Sequence, residues 1–173
     1  MPEPSPTLPT IEVVVDDLAF VAADAVVRPA DEHLDPVTPS VVRLDQLAGA
    51  RFQSQRRVQT ALAVGSAVVT GAGDLAAPFV LHAVIQGHEE PPTATTVRRA
   101  LLSAWQQAAE WGLDSLATAP LGTGAGQLSL EDAAVLLAET FPVSGVRPSR
   151  LCIVVDREED RLIVDAVVQR RRT

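Results

Sequence analysis

Short runs of β-branched apolar residues alternate with amphipathic segments along this chain, and this alternation limits the fold more than any other feature. The strand-like runs are 11–15, 24–27, 66–70, 79–85, 115–119 and 150–155. Apolar residues at helical spacing mark 97–111, 129–141 and 158–169. Strands separated by helices predict an α/β protein with a largely parallel sheet that helices cover on its faces.

Prolines and capping residues set the predicted ends of these elements. Pro29 is expected to close the second strand, because proline cannot donate to a strand ladder. Thr95 or Thr96 is expected to cap the helix that begins at Val97. A sparse apolar face predicts a further helix over 52–62.

Length and composition predict one domain. The chain has 173 residues and is 47% hydrophobic, which is enough to build a complete core without disulfides or metals. The predicted domain covers 11–169. Residues 1–10 form a proline-rich flexible tail before it, and 170–173 form a basic C-terminal tip after it.

Charge and cysteine content exclude several classes of partner. A net charge of −8 argues against nucleic acid and anionic membranes as partners. No apolar run reaches the ~18 residues that span a bilayer, and the single cysteine, Cys152, excludes an internal disulfide and a cysteine zinc cluster. We therefore expect a cytoplasmic protein without a cofactor or a bound metal. His82 and His88 are interpreted as a strand residue and a loop residue rather than as metal ligands.

Two glycine-rich segments are candidate phosphate-binding loops. Residues 71–76 match the dinucleotide fingerprint, but Pro78 and a second strand follow them where that fingerprint needs a helix. Residues 122–126 carry three glycines at alternate positions between a strand and a capped helix. Such a loop lets backbone amides converge on an anion, so we interpret it as the ligand-binding loop.

Three segments in this order carry a family resemblance. Asp17-Leu18 precedes the strand Asp24-Ala25-Val26-Val27, a strand pair follows at 65–84, and Pro120-Leu121-Gly122-Thr123-Gly124-Ala125-Gly126 follows a short strand. Together these segments resemble the macro domain family, which binds ADP-ribose. The resemblance covers the chain from about residue 11 to the last helix, and it implies a three-layer α/β/α sandwich with a mixed central sheet.

The resemblance also implies a role for each matching residue. Asp17 would accept a hydrogen bond from the adenine amino group, with the amide of Leu18 beside the ring. The loop would bind the diphosphate and the distal ribose through the backbone amides of Gly122, Thr123, Gly124, Ala125 and Gly126.

The chain departs from the family pattern at the catalytic end. Asp31 stands where the family has the asparagine that supports hydrolysis in its catalytic members, and the chain contains no asparagine. Residues 35–40 carry two prolines in place of the family's first glycine-rich loop, and proline removes amide donors. The position near the family's adenine-stacking aromatic is Val155.

Three hypotheses about function follow. The leading one is non-catalytic binding of ADP-ribose or a related nucleotide diphosphate. A second is a degenerate macro fold that serves as a protein-interaction or structural module. A third is an ADP-ribosyl hydrolase in which Asp31 is the base, Arg28 neutralises the phosphate and His33 relays a proton.

Overall fold

Six strands and five α-helices build the part of the chain that the computed structural model describes, residues 8–124, 127–144 and 147–172. The strands are β1 (Thr10–Val15), β2 (Ala25–Asp31), β3 (Ala67–Gly71), β4 (Phe79–Gln86), β5 (Ser115–Thr118) and β6 (Arg150–Val155). The helices are α1 (Pro39–Ala48), α2 (Ala50–Gln55), α3 (Ala94–Glu110), α4 (Leu130–Thr140) and α5 (Glu158–Arg172). A single 3₁₀ turn, Leu18–Phe20, follows β1.

The strands form one mixed sheet in the order β1-β6-β5-β2-β4-β3. Every neighbouring pair is parallel except β3 and β4, which are antiparallel. The carboxyl ends of the five parallel strands therefore meet at one edge of the sheet. The predicted α/β class and the mixed central sheet are confirmed.

Helices cover both faces of the sheet, and adjacent residues of the central strands, which point to opposite faces, pack into different cores. Ala25 and Val27 of β2 pack into the larger core with α3, α4 and α5, whereas Val26 packs into a smaller core with α1 and α2. These layers form the predicted three-layer sandwich. Across the three described ranges, no helix has both the length and the apolar content that crossing a bilayer requires.

The expectation that Pro29 closes the second strand is wrong. β2 continues through Pro29 to Asp31, and Pro29 pairs in register with Ala83 of β4. On its other side, β2 pairs with β5 only as far as Val27. Pro29 therefore lies where one edge of the strand has no partner, and its missing N–H costs no ladder hydrogen bond.

Three predicted helix boundaries are also corrected. The helix expected over 52–62 is the short α2, which ends at Gln55. The cap of α3 is Thr93, whose hydroxyl accepts from the amide of Thr96. The Thr96 hydroxyl in turn accepts from the Thr93 amide, so Thr96 completes the capping box. The last helix continues to Arg172, and its final turn donates to carbonyls after α4. Residues 1–7 of the predicted tail and Thr173 lie outside the described residues.

Candidate functional site

The chain reverses its direction across the sheet between β2 and β5. After β2 it leads through α1 and α2 toward β3 at one end, and after β5 it leads through α4 to β6 on the other side. In open α/β sheets such a switch point leaves a crevice at the carboxyl ends of the strands. Here two connections border it: residues 32–38, the first loop, and residues 119–129, the second loop.

The two loops approach each other at Thr38 and Gly124. A Cβ built on Gly124 would lie 3.3 Å from the Thr38 Cγ2 methyl and 3.7 Å from Gln127 Cγ. Thr38 also caps α1, since its hydroxyl accepts from the Val41 amide. The N-terminus of α1, whose first turn carries no acidic residue, therefore lies next to the backbone of Gly124.

Local hydrogen bonds shape the described part of the second loop. Gly122 has a φ of +84°, a conformation that favours glycine, and a Cβ there would meet Leu128 Cδ1 and Val97 Cγ2 at 3.1 Å each. The Leu128 amide donates to the Gly122 carbonyl at 2.9 Å, and Thr123 is exposed. Ala125 and Gly126, the other two predicted ligand-binding residues, lie outside the described residues.

Asp17 lies at the same edge of the sheet, after β1, and Arg43 of α1 binds it. Arg43 Nη1 lies 3.1 Å from Asp17 Oδ1, and Nη2 lies 2.8 Å from Oδ2. Asp17 Oδ1 also accepts from the Ala19 amide and caps the 3₁₀ turn that begins with Leu18. The hydrogen bond from Arg43 holds the pKa of the Asp17 carboxyl below its usual value. Asp17 and Leu18, the two residues expected to contact the base, thus lie at the same edge of the sheet as the two loops. Sequence reasoning did not single out Arg43, the partner of Asp17.

Asp31 ends β2 and shapes the start of the first loop. Its side chain is 8% exposed, and Oδ1 accepts from the amides of His33 and Asp35 at 2.8 and 3.0 Å. The other oxygen, Oδ2, lies 3.8 Å from His88 Nδ1. The relay expected of His33 is not supported by this arrangement, because its contact with Asp31 is through the backbone amide while the residue is exposed. A catalytic role for Asp31 stays a prediction.

Arg28 cannot neutralise a bound phosphate, and that expectation is wrong. It is fully buried under α1, where Nε and Nη2 donate to Asp45 Oδ1 and Oδ2 at 2.7 and 2.6 Å. Its guanidinium lies 5.8 Å from the centre of the Phe52 ring. Arg28 follows Val26 on the face that packs against α1 and α2, so the charge is inside the smaller helical layer.

His82 is a satisfied structural histidine, as the sequence predicted. It pairs in register with Arg28, whose Nη1 lies 3.2 Å from His82 Nδ1. On its other side, Nε2 lies 2.8 Å from the Thr70 hydroxyl, and the ring stacks on Phe52. Burial lowers the pKa of His82 well below its usual value, and the charge of Arg28 acts in the same direction. The neutral imidazole is therefore the form that the fold contains.

Arg56 connects this buried group to the first loop. Its Nη1 lies 3.2 Å from both the Leu34 carbonyl and Asp35 Oδ1, and its Nε lies 3.3 Å from Asp45 Oδ2 without the alignment of a hydrogen bond. Leu34 has a φ of +62°, a conformation that costs a non-glycine residue about 1–2 kcal/mol. Arg56 thus anchors a strained turn to the buried charges beneath it.

An acidic cavity of about 550 Å³ lies on the β4 side of the first loop. Its lining includes two histidines and four carboxylate residues, Glu32, His33, Asp35, His88, Glu89 and Glu90. By the strand order it is on the opposite side of β2 from the second loop. Across the described ranges, no group of three or more histidine, cysteine or acidic residues is arranged to hold a metal ion.

Sequence comparison assigns the family. The Macro domain family model matches residues 42–137, more than half of the chain. The chain belongs to the macro domain family. The O-acetyl-ADP-ribose deacetylase of Enterobacter sp. is 32% identical over 176 residues, covering 95% of this chain and 97% of that protein. An uncharacterized protein of Mycobacterium tuberculosis is 29% identical over 127 residues, covering 73% of this chain and 35% of that protein. The chain thus spans about a third of the length of this mycobacterial relative.

Solved macrodomain structures share the fold. The Oceanobacillus iheyensis macrodomain with ADP superposes with a TM-score of 0.76 at 19% identity, covering 94% of this chain and 91% of the other. The Trypanosoma brucei macrodomain in complex with ADP gives a TM-score of 0.76 at 19% identity, covering 91% of this chain and 68% of the other. The predicted family and fold are both confirmed.

Proposed function

We propose that this macro domain binds ADP-ribose or a related nucleotide diphosphate, without catalysis, in the crevice between the first and second loops. The observation that carries the proposal is the approach of Gly124 to Thr38, which places a glycine backbone opposite the N-terminus of α1. Backbone amides and a helix dipole favour a diphosphate there. Asp17 lies after β1 at the same edge and provides the acceptor for the base.

The absence of asparagine from the chain supports binding without catalysis. Hydrolysis requires the ribose and a water molecule to be held in a near-attack geometry, and small displacements cost orders of magnitude in rate. One carboxylate oxygen of Asp31 already accepts hydrogen bonds from two backbone amides of the first loop. Arg28 is buried away from the crevice.

Titration calorimetry with ADP-ribose tests the proposal. We expect Gly124→Val to abolish binding, because even its Cβ would lie 3.3 Å from Thr38 Cγ2. Asp17→Ala should weaken binding about tenfold through loss of a charge-assisted hydrogen bond. The matched control is Glu159→Ala, which removes an exposed carboxylate on α5 and should bind like the wild type. Absence of heat with the wild type at millimolar ligand contradicts the proposal and favours a protein-interaction module instead.

A second candidate is hydrolysis of O-acetyl-ADP-ribose. Two observations favour it: a buried carboxylate, Asp31, oriented by two amides at the end of β2, and a relative named for that activity. In this reaction Asp31 takes a proton from water as the oxygen attacks the acetyl carbonyl. The ester C–O bond then breaks, and the proton passes from Asp31 to the departing ribose oxygen, which leaves as a hydroxyl while the acetyl group leaves as acetate. An assay of acetate release from O-acetyl-ADP-ribose separates the two candidates. Release by the wild type, with none from an Asp31→Ala variant that still binds ADP-ribose, establishes hydrolysis over binding without catalysis.

A further inference from the structure

Arg43 donates hydrogen bonds to the Asp17 carboxylate, the group that the proposed function assigns to binding the nucleobase. Its two terminal nitrogens lie 3.1 and 2.8 Å from Oδ1 and Oδ2 of Asp17. Oδ1 also accepts from the Ala19 amide, so Oδ2 is the oxygen with a remaining lone pair for a ligand. A donor that reaches Oδ2 in the plane of the carboxylate therefore lies beside the Arg43 guanidinium.

The guanidinium is presented to solvent and already oriented. The Arg43 side chain is 57% exposed, and that of Asp17 is 34% exposed. The pKa of Arg43 is raised, chiefly by its hydrogen bond to Asp17 and also by the charge of Asp156, the residue after β6. The negative charges of Asp17, before the 3₁₀ turn, and of Asp156, after β6, thus both act on the Arg43 guanidinium.

The other side chains at this edge offer less to a base. Val155, at the end of β6, is buried and 5% exposed. Phe20, on the 3₁₀ turn, is 65% exposed. The Asp17 carboxylate orients the Arg43 guanidinium, but it does not orient the Phe20 ring in this way. A guanidinium has five N–H donors in one plane, and its flat face stacks on aromatic rings. Two of these donors are used on Asp17, which leaves others and the face available to a purine.

We propose that Arg43 is a base-contacting residue that determines specificity for adenine, an inference that rests on the proposed function. Asp17 Oδ2 and Arg43 together form an acceptor beside a donor. Adenine matches this pair, because its amino group donates and the neighbouring ring nitrogen accepts. Hypoxanthine carries a keto oxygen in place of the amino group. This oxygen is an acceptor, so it cannot donate a hydrogen bond to the Asp17 carboxylate.

Calorimetry with ADP and inosine diphosphate separates this role from a general charge effect. The wild type should prefer ADP, and Arg43→Ala should weaken ADP binding about tenfold while reducing that preference. Arg43→Lys should not restore binding, because it keeps the charge but loses the planar donors. Gln46→Ala, an exposed change on the same helix, is the matched control, and Phe20→Ala tests the aromatic rival.

Three results overturn the Arg43 proposal. One is unchanged or tighter ADP binding in Arg43→Ala, which makes Arg43 a competitor for Asp17. Another is an equal loss for both nucleotides that lysine restores, which makes Arg43 a general cation. A third is loss of the ADP preference in Phe20→Ala alone. If the wild type binds ADP and Gly124→Val does not, these results leave the proposed function intact; if the wild type binds neither ADP nor ADP-ribose, both proposals fail.

Discussion

Arg28 of β2 and Asp45 of α1 form a two-point ion pair inside the smaller helical layer, with side chains 0% and 4% exposed. The pair connects the central sheet to the helix whose N-terminus borders the crevice. Such a pair gains little over apolar packing, but removal of one partner leaves a buried charge that has lost its hydrogen-bonded counterion. For Asp45 the remaining cation is Arg56, whose Nε lies 3.3 Å from Oδ2 without the alignment of a hydrogen bond. The pair therefore constrains where α1 can lie on the sheet.

Removal of one member of this pair should be more damaging than removal of both. Arg28→Met should lower the free energy of unfolding by about 3–5 kcal/mol, because Asp45 then keeps a buried charge. Combining Arg28→Met with Asp45→Leu should recover at least about half of that loss. Urea denaturation of the three proteins measures the effect. A double variant less stable than Arg28→Met would contradict this account of the pair.

His82 should make stability depend on pH below neutrality. Its folded pKa is lowered chiefly by burial, so below about pH 6.5 the unfolded chain binds a proton that the folded protein does not. Stability should therefore fall as the pH decreases from about 6.5, by up to about 1.4 kcal/mol per pH unit. His82→Gln should flatten this slope in chemical denaturation between pH 7 and pH 5. The control His33→Gln retains the buried imidazole and should keep the slope; equal slopes in wild type and His82→Gln would refute the assignment.

Arg56 should position the first loop without touching the ligand. Arg56→Gln loses the contacts to the Leu34 carbonyl and the Asp35 carboxylate, so we expect faster amide exchange at Leu34 and Asp35 and ADP-ribose binding about tenfold weaker. Arg57→Gln makes the same change of charge at the next, exposed residue. If both variants lose affinity equally, the effect of Arg56 is one of overall charge and not of loop position.

The single cysteine should be slow to alkylate. Burial raises the pKa of Cys152 to about 11, and the nearby Glu12 carboxylate acts in the same direction. At pH 8 only about one thiol in a thousand is then ionised, so the folded protein should react on the order of a hundredfold more slowly than the unfolded chain. Iodoacetamide labelling followed by mass spectrometry gives the two rates. Similar rates would show that the thiolate is accessible and stabilised in the fold.

The order of elements was predictable because apolar periodicity and capping residues are local signals. Ser129, for example, is the first residue of the predicted helical segment 129–141, and it caps α4. The strand end predicted at Pro29 is wrong, because proline is tolerated where only one neighbouring strand continues, and the register of β5 is not a local property.

The charges of the site were harder to predict than its glycines. Asp45 did carry a signal, since it lies on the buried stripe of α1 with Leu44 and Ala48. The sequence alone, however, does not say which strand residue reaches it, because both faces of β2 are buried. The pairing of Arg43 with Asp17 joins α1 to a turn 26 residues earlier, a contact that only the packed helix creates.

The central claim is that a nucleotide diphosphate lies between the first and second loops, and an amide titration with ADP-ribose tests it most directly. In ¹H–¹⁵N spectra we expect saturable shifts at Leu18, Ser40, Gly122, Thr123 and Gly124, the amides that border the crevice. The same titration of Gly124→Val should leave these positions unmoved. Saturable shifts confined to His33, His88 and their neighbours in the acidic cavity, or no saturable shift at millimolar ligand, would contradict the claim.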